Sequence, residues 1–262
     1  MENKQISRLS TFFLFFLIAI IAFGAYVRAT GSGAGCGNHW PLCNGEVIPI
    51  APKTKTIIEY LHRITSGLSL PFALGIFWLG RQKIKQNKVF QISCKFTLFF
   101  LIIEGLIGAY LVKAEHVAFS QVESRGISVS FHLINTFLLT ASSLYMALSS
   151  SNIKTSKQKL PKAVKSCFFL SFVFILCTSL TGAITALGDL LFPVESVFEA
   201  VAGSIKKESH IFVKLRVYHP FIALGSALFI GYFLVANQIK FCGHRHNGGG
   251  LRPGGGAAAG GG

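Results

Sequence analysis

The chain has 262 residues, of which 51% are hydrophobic and 13% charged, and its formal net charge is +15. A soluble domain of this length rarely combines a mean hydropathy of +0.55 with so few charged residues. The composition therefore argues against a soluble globular domain and predicts a membrane protein.

Six apolar segments follow one another along the chain. They cover about residues 11–29, 57–79, 92–112, 127–149, 163–187 and 211–238. Helices of this length cross the ~30 Å hydrocarbon core of a bilayer, whereas strands of a membrane barrel are shorter. Because lipid cannot satisfy open backbone polar groups, we expect an all-α polytopic bundle of six transmembrane helices.

The first segment follows Lys4 and Arg8, which raises the alternative of a signal peptide. Its apolar core is longer than the core of a signal peptide, and no small-x-small cleavage site follows cleanly. We therefore expect the segment to be retained as a helix.

Positive charge is concentrated in two loops. The loops after the second and fourth segments contain basic residues and no acidic residue: Arg81, Lys83, Lys85, Lys88 and Lys95, and Lys154, Lys157, Lys159, Lys162 and Lys165. The remaining loops mix both signs. The positive-inside rule places the N-terminus and both basic loops on the cytoplasmic side of the membrane. Topology thus accounts for the basicity, and we expect no nucleic-acid partner.

A glycine-rich outer loop, residues 31–45, contains Cys36 and Cys43. On the oxidising side of a membrane, a disulfide between them would close a short loop. Two interpretations stay open: a structural staple, or a redox pair that passes electrons. The neighbouring His39 and Trp40 fit an interfacial lid over this loop.

Three histidines, His62, His132 and His219, lie a few residues inside the second, fourth and sixth segments and enter from the same side. Ionisable residues within membrane spans are costly and usually functional. A histidine on each of two helices supplies both axial ligands of haem iron. The alternative is a histidine that is hydrogen-bonded within the bundle. Zinc fits less well because no third or fourth ligand stands nearby.

Three charged residues lie close to these histidines or within a segment. Glu59 shares a helix face with His62, where it could move protons or stabilise a developing cation, unless it forms an ion pair with Arg63. Arg63 is expected either to bind a haem propionate or to extend to the interface. For Glu104 in the third segment, a hydrogen bond between helices is favoured.

The order of motifs indicates an internal repeat. Gly24-Ala-Tyr-Val precedes His62 much as Gly182-Ala-Ile-Thr precedes His219. We predict a four-helix half at 1–150, a cytoplasmic linker at 151–165 and an incomplete second half at 166–240, with two helices of an expected four. The Gly- and Ala-rich tail at 241–262 is predicted to be non-native or disordered.

Several motifs together resemble the haem A synthase family, in its bacterial form with a cysteine pair. They are Gly24-Ala-Tyr-Val-Arg28, the Cys36…Trp40-Pro41…Cys43 loop, Glu59-Tyr-Leu-His62-Arg63, His132, Thr185-Ala-Leu-Gly188-Asp189 and Tyr218-His219-Pro220. The resemblance covers about residues 8–238. It implies an eight-helix protein of two four-helix halves, so that this chain is expected to be C-terminally truncated.

The resemblance also implies a reaction. The family oxidises the C8 methyl group of haem O to the formyl group of haem A, through a hydroxylated intermediate. His62 and His132 match the histidines that hold the substrate haem, Glu59 matches the catalytic glutamate, and Cys36 and Cys43 match the redox-active pair. His219 matches one of two ligands of a haem b cofactor, whose second ligand this sequence lacks.

Two other functions stay open at this stage: a membrane b-type cytochrome that carries electrons, or a thiol–quinone oxidoreductase that uses Cys36 and Cys43. Of partners, we expect a haem O synthase upstream, membrane lipid, and a homo-oligomer. The electron acceptor is unassigned.

Overall fold

The fold is all-α. The computed structural model describes residues 2–117, 124–151, 162–205 and 210–247. These contain seven helices: α1 (Glu2–Ala29), α2 (Thr54–Lys83), α3 (Lys88–Lys113), α4 (Ser124–Ser150), α5 (Lys162–Leu191), α6 (Val197–Ile205) and α7 (Ile211–Asn247). The predicted fold class, a polytopic helical membrane protein, is confirmed.

Five of the helices are long and apolar enough to cross a membrane: α1, α3, α4, α5 and α7, with mean hydropathies from 1.4 to 2.3. Large apolar side chains such as Phe12 and Phe15 point outward from α1, 63% and 65% exposed. Exposing such an apolar surface to water is unfavourable, so we expect lipid to cover it. The 30-residue helix α2 is not among the five. Polar residues interrupt its first turns, and its crossing stays a prediction.

The short helix α6 was not predicted from the sequence. It has 9 residues, too few to span a bilayer, and lies between α5 and α7. Its apolar residues Phe198 and Ile205 are 84% and 74% exposed. The sequence gives little signal for this helix because it is short and stands among the mixed charges of a predicted outer loop.

The chain divides into two compact units, Met1–Lys159 with Ser179–His219, and Leu160–Thr178 with Pro220–Gly262. In the first unit, α1 packs against α2 and α4, and α3 packs against the same two helices. This closed ring places α2 and α4 diagonally across a four-helix bundle. It agrees with the four-helix half expected from the sequence, while the predicted boundaries at 1–150 and 166–240 stay a prediction.

The apolar core of the bundle lies at the end that carries the basic loops. It joins the start of α1 and α3 to the end of α2 and α4: Ile6, Phe13, Leu17, Ala73, Ile76, Ile84, Phe90, Cys94, Leu101, Leu139 and Met146. The opposite end holds the buried polar residues Glu59, Arg125 and Asn135. The buried residues are therefore mainly apolar at one end of the bundle and include charged and amide side chains at the other.

In the second unit, segments of α5 and α7 pack through aromatic pairs. The ring centroids of Phe168 and Phe233 lie 5.1 Å apart, and those of Phe174 and Phe229 lie 5.0 Å apart. Helix α7 continues through Asn247, into the first part of the predicted tail. Residues 248–262, and residues 152–161 of the predicted linker, lie outside the described residues.

Candidate functional site

The outer loop between α1 and α2 is closed by a disulfide between Cys36 and Cys43. Both cysteines are buried, and the backbone N–H of Asn44 donates a hydrogen bond to the Cys36 carbonyl at 3.0 Å. The predicted pairing is confirmed. Its use as a redox pair stays a prediction.

The first turns of α2 lie directly against this loop. The backbone N–H of Cys36 donates a hydrogen bond to Glu59 Oε2 at 2.7 Å, and the Thr56 hydroxyl donates to the Gly35 carbonyl at 2.8 Å. A side chain at Gly35 would overlap the backbone of Lys55 and Thr56. The glycine thus allows the disulfide loop to approach the start of α2, and Glu59 is only 3% exposed.

Arg63 holds this arrangement together. Its Nε and Nη2 donate to Glu59 Oε1 at 3.0 and 2.5 Å, and its Nη1 donates to the carbonyls of His39 and Leu42 at 2.5 and 2.7 Å. The ion pair considered for Glu59 is therefore present. Arg63 ties helix to loop, and its expected contact with a haem propionate stays a prediction.

His62 and His132 stand on the diagonal helices α2 and α4. In each ring, Nδ1 is buried and has no hydrogen-bond partner among the described residues. Buried polar atoms in native proteins are nearly always paired. Two imidazoles left without such partners fit a ligand held between them, and a haem iron suits two neutral imidazoles.

Because Gly24 of α1 has no side chain, the His62 ring can pack closely against this helix. A Cβ at position 24 would lie 3.1 Å from Cε1 and 3.4 Å from Nε2 of His62. Phe23 meets the same ring edge-on, with centroids 5.6 Å apart. Neighbouring α1 therefore fixes the position of the imidazole.

Glu104 of α3 forms the expected hydrogen bonds between helices. Asn135 Nδ2 donates to Glu104 Oε2 at 2.6 Å, and the Thr136 hydroxyl donates to Glu104 Oε1. The same carboxylate lies 3.5 Å from Nδ1 of His132. That is within ion-pair range but not the geometry of a good hydrogen bond. The sequence could not show this proximity, because it depends on how α3 and α4 are rotated against each other.

A glycine lies close to the ring of His219 on α7, as Gly24 does to the ring of His62, but His219 Nδ1 also has a hydroxyl partner. The Thr181 hydroxyl lies 3.0 Å from His219 Nδ1, and a Cβ at Gly182 would lie 2.9 Å from its Cε1. Fixing one ring nitrogen orients the other toward a metal. An imidazole oriented in this way would be able to bind the iron of a haem. Gly24 and Gly182 both begin the Gly-Ala motif that the sequence repeats. Their close approach to the histidine rings was not predicted from the sequence.

An apolar cavity of about 190 Å³ lies beside α4. Its wall includes Ile127, Phe131 and Ile134 of α4, with Ile184 and Phe212. These α4 residues follow a helical repeat on a different face from His132. The cavity is therefore separate from the histidine site.

Comparison with known proteins gives a consistent result. The sequence profile of the family described as "Cytochrome oxidase assembly protein" (COX15-CtaA) matches residues 7–247. A "Protoheme IX farnesyltransferase" of Thermus thermophilus is 41% identical over 222 residues, which is 84% of this chain and 36% of that protein. A "Heme A synthase" of Exiguobacterium sibiricum is 29% identical over 182 residues, which is 69% of this chain and 59% of that protein.

A second "Heme A synthase", from Halalkalibacterium halodurans, is 45% identical over 96 residues, which is 36% of this chain and 31% of that protein. The chain thus spans from about a third to about three fifths of the length of these curated relatives.

Proposed function

Because this chain belongs to the COX15-CtaA family of cytochrome oxidase assembly proteins, we propose that it is an oxidoreductase of haem A biosynthesis. The proposed reaction is that of a haem A synthase. The C8 methyl group of haem O is oxidised to a formyl group through a hydroxylated intermediate. Relatives named heme A synthase support this choice over an electron-carrying cytochrome.

The substrate haem is proposed to lie between His62 and His132. The observation that carries this assignment is the pair of imidazoles on diagonal helices, each with a buried Nδ1 that lacks a hydrogen-bond partner in the described chain. A haem placed there would have a histidine on each face. The bundle interior would cover the apolar part of the ring.

Glu59, Cys36 and Cys43 are proposed to act in the oxidation. Glu59 is buried, bonded to the backbone of Cys36 and paired with Arg63. A carboxylate held in this way can accept a proton or stabilise positive charge that develops at the oxidised carbon. Reduction of the disulfide to two thiols consumes a pair of electrons and two protons. The loop could therefore accept the electrons of one oxidation step.

His219 is proposed to contribute one axial ligand to a haem b cofactor. The hydroxyl of Thr181 on Nδ1 and the close approach of Gly182 fix the ring. That haem would supply one-electron redox chemistry when bound. Within this chain, the proposed role of His219 is to bind it and that of Thr181 is to orient His219.

A haem O synthase is the proposed partner. A segment 41% identical to this chain makes up 36% of a Thermus protein that is named for farnesyl transfer to protohaem. We also place the protein in a bacterial inner membrane with a cytoplasmic N-terminus. The basic loops and the outer disulfide support this orientation.

The test is chromatography of haems extracted from cells that make haem O but no haem A. Expression of the chain should yield a formylated haem, and the Glu59→Ala variant should yield none. Extraction of haem b alone, unchanged by Glu59→Ala, would indicate a b-type cytochrome. A cysteine-dependent quinone reaction without bound haem would indicate a thiol–quinone oxidoreductase.

A further inference from the structure

The carboxylate of Glu104 on α3 is held in place beside His132 on α4. Its Oε2 accepts a hydrogen bond from Asn135 Nδ2 at 2.6 Å, and its Oε1 accepts one from the Thr136 hydroxyl. The Asn135 amide also donates to the Phe100 carbonyl of α3 at 2.9 Å. Asn135 and Thr136 stand three and four residues after His132, on the same side of α4. The carboxylate is therefore anchored on the turn that follows the histidine.

The Nδ1 edge of the His132 ring faces this carboxylate. Nδ1 lies 3.5 Å from Glu104 Oε1 and is buried without a hydrogen-bond partner among the described residues. The side chain as a whole is nevertheless 36% exposed, so the accessible part of the ring is an edge other than Nδ1. When one ring nitrogen of a histidine faces a carboxylate, the other is the one that binds a metal. The geometry thus leaves Nε2 of His132 available to iron.

His62, the proposed ligand on the opposite helix, has different surroundings. Its ring packs closely against Gly24 and edge-on against Phe23. In the part of the chain that the structure describes, this ring forms no ion pair with a carboxylate. Glu59, three residues earlier on the same helix, is paired with Arg63 instead. The two histidines therefore differ in whether a negative charge stands beside the ring.

We propose that Glu104 is a positioning residue that makes His132 the stronger of two unequal haem ligands. This inference rests on the proposed haem site between His62 and His132. A carboxylate that accepts a hydrogen bond from Nδ1–H fixes the imidazole ring and makes Nε2 a stronger donor to iron. At 3.5 Å the contact is too long for a hydrogen bond, and a small turn of the ring toward the carboxylate closes it.

Unequal ligands suit a haem that is a substrate rather than a permanent cofactor. The product must leave the site, and release begins when one axial bond opens. His62 lacks the acceptor that strengthens His132, so its bond to iron is the weaker one and opens first. The haem then stays attached through His132 while the side of α2 is released.

The first test uses the purified full chain and ferric protohaem. Glu104→Gln removes the negative charge and keeps the size of the side chain. Ferric haem should bind roughly tenfold more weakly, a typical loss when the partner of a metal-binding histidine is changed. With ferrous binding unchanged, this tenfold loss raises the one-electron midpoint potential by about 59 mV. The absorbance spectrum should remain that of two imidazole ligands.

Thr97→Val is the matched control for packing between α3 and α4. It removes the hydrogen bond that the Thr97 hydroxyl donates to Ser142 at 3.3 Å, and it leaves Glu104 unchanged. The control should keep the native midpoint potential. If Glu104 only joined the two helices, Glu104→Gln would lower the thermal midpoint and keep the native potential, and that result would overturn the inference.

The second test leaves Glu104 unchanged. His132→Gly and His62→Gly each create a space that free imidazole can fill. In His132→Gly, imidazole should restore the low-spin spectrum at roughly tenfold lower concentration than N-methylimidazole, which has no N–H to donate to Glu104. In His62→Gly, where no carboxylate faces the ring, the two compounds should act equally.

The outcomes separate this inference from the proposed function. If imidazole and N-methylimidazole act equally in His132→Gly, the inference is overturned while the histidine site stands. If the native chain binds no haem with two imidazole ligands, or if both glycine variants keep that spectrum without added imidazole, the proposed function is overturned as well.

Discussion

The carboxylate of Glu59 accepts a hydrogen bond from the backbone N–H of Cys36 at 2.7 Å. A residue of helix α2 is thereby joined to a disulfide-bonded cysteine that stands 23 residues earlier in the chain. Arg63 closes the arrangement by binding both Glu59 and the loop. A change in the carboxylate or in the disulfide should therefore affect the other.

Glu59→Gln should abolish formation of formylated haem while haem binding remains. Glutamine keeps the size and can still accept from Cys36, but it removes the negative charge and the ion pair with Arg63. Because Arg63 would be left without its charge partner, the thermal midpoint of the purified chain should also fall. Glu46→Gln, at an exposed loop position, is the matched control and should change neither. Normal activity in Glu59→Gln would contradict the proposed role.

Replacing both Cys36 and Cys43 by serine distinguishes a structural role of the disulfide from a redox role. Loss of a short disulfide loop should lower the free energy of unfolding by about 2–3 kcal/mol. If the pair accepts electrons, formation of formylated haem should also stop, even at temperatures where the variant is folded. If the folded double variant is still active, the redox role is contradicted and the disulfide has a structural role only. Cys167→Ser on α5 is the control.

Gly24→Ala should weaken haem binding by roughly tenfold. The added Cβ would lie 3.1 Å from Cε1 of His62, so that the ring must shift away from its present position. A tenfold loss of affinity corresponds to about 1.4 kcal/mol of binding free energy. Gly67→Ala on α2 is the matched control because a Cβ there meets nothing within 4 Å. Equal affinities in the two variants, measured by haem titration, would contradict the packing role of Gly24.

Arg63→Lys should loosen the disulfide loop. A lysine ammonium keeps the charge but cannot bind Glu59 through two nitrogens and the His39 and Leu42 carbonyls through a third. The disulfide should then be reduced faster by a membrane-impermeant phosphine, measured by thiol labelling. An unchanged rate would show that Arg63 does not restrain the loop. Arg81→Lys should leave the rate as in the native chain.

Much of the site could be predicted from residue types and positions. The cysteine pair stands out as two cysteines in a glycine-rich loop, and the histidines stand out because imidazoles are rare in apolar segments. The preferred interpretation of Glu104 also holds, since a carboxylate inside a span needs partners and finds Asn135 and Thr136.

Contacts between segments that are distant in sequence could not be predicted. The binding of Arg63 to the His39 carbonyl depends on how the loop folds back on α2. The 3.5 Å distance between the Glu104 carboxylate and His132 Nδ1 depends on the rotation of α3 against α4. Hydrophobic patterning fixes the length of a span, but in lipid it leaves rotation and neighbours to side-chain packing.

The most direct test of the central claim is a titration of the purified chain with haem O, followed by absorbance and electron paramagnetic resonance. We expect a low-spin haem with two imidazole ligands that is lost in His62→Ala and in His132→Ala, while His39→Ala keeps it. The same low-spin spectrum in the double variant His62→Ala/His132→Ala, or no haem bound by the native chain, would contradict the claim.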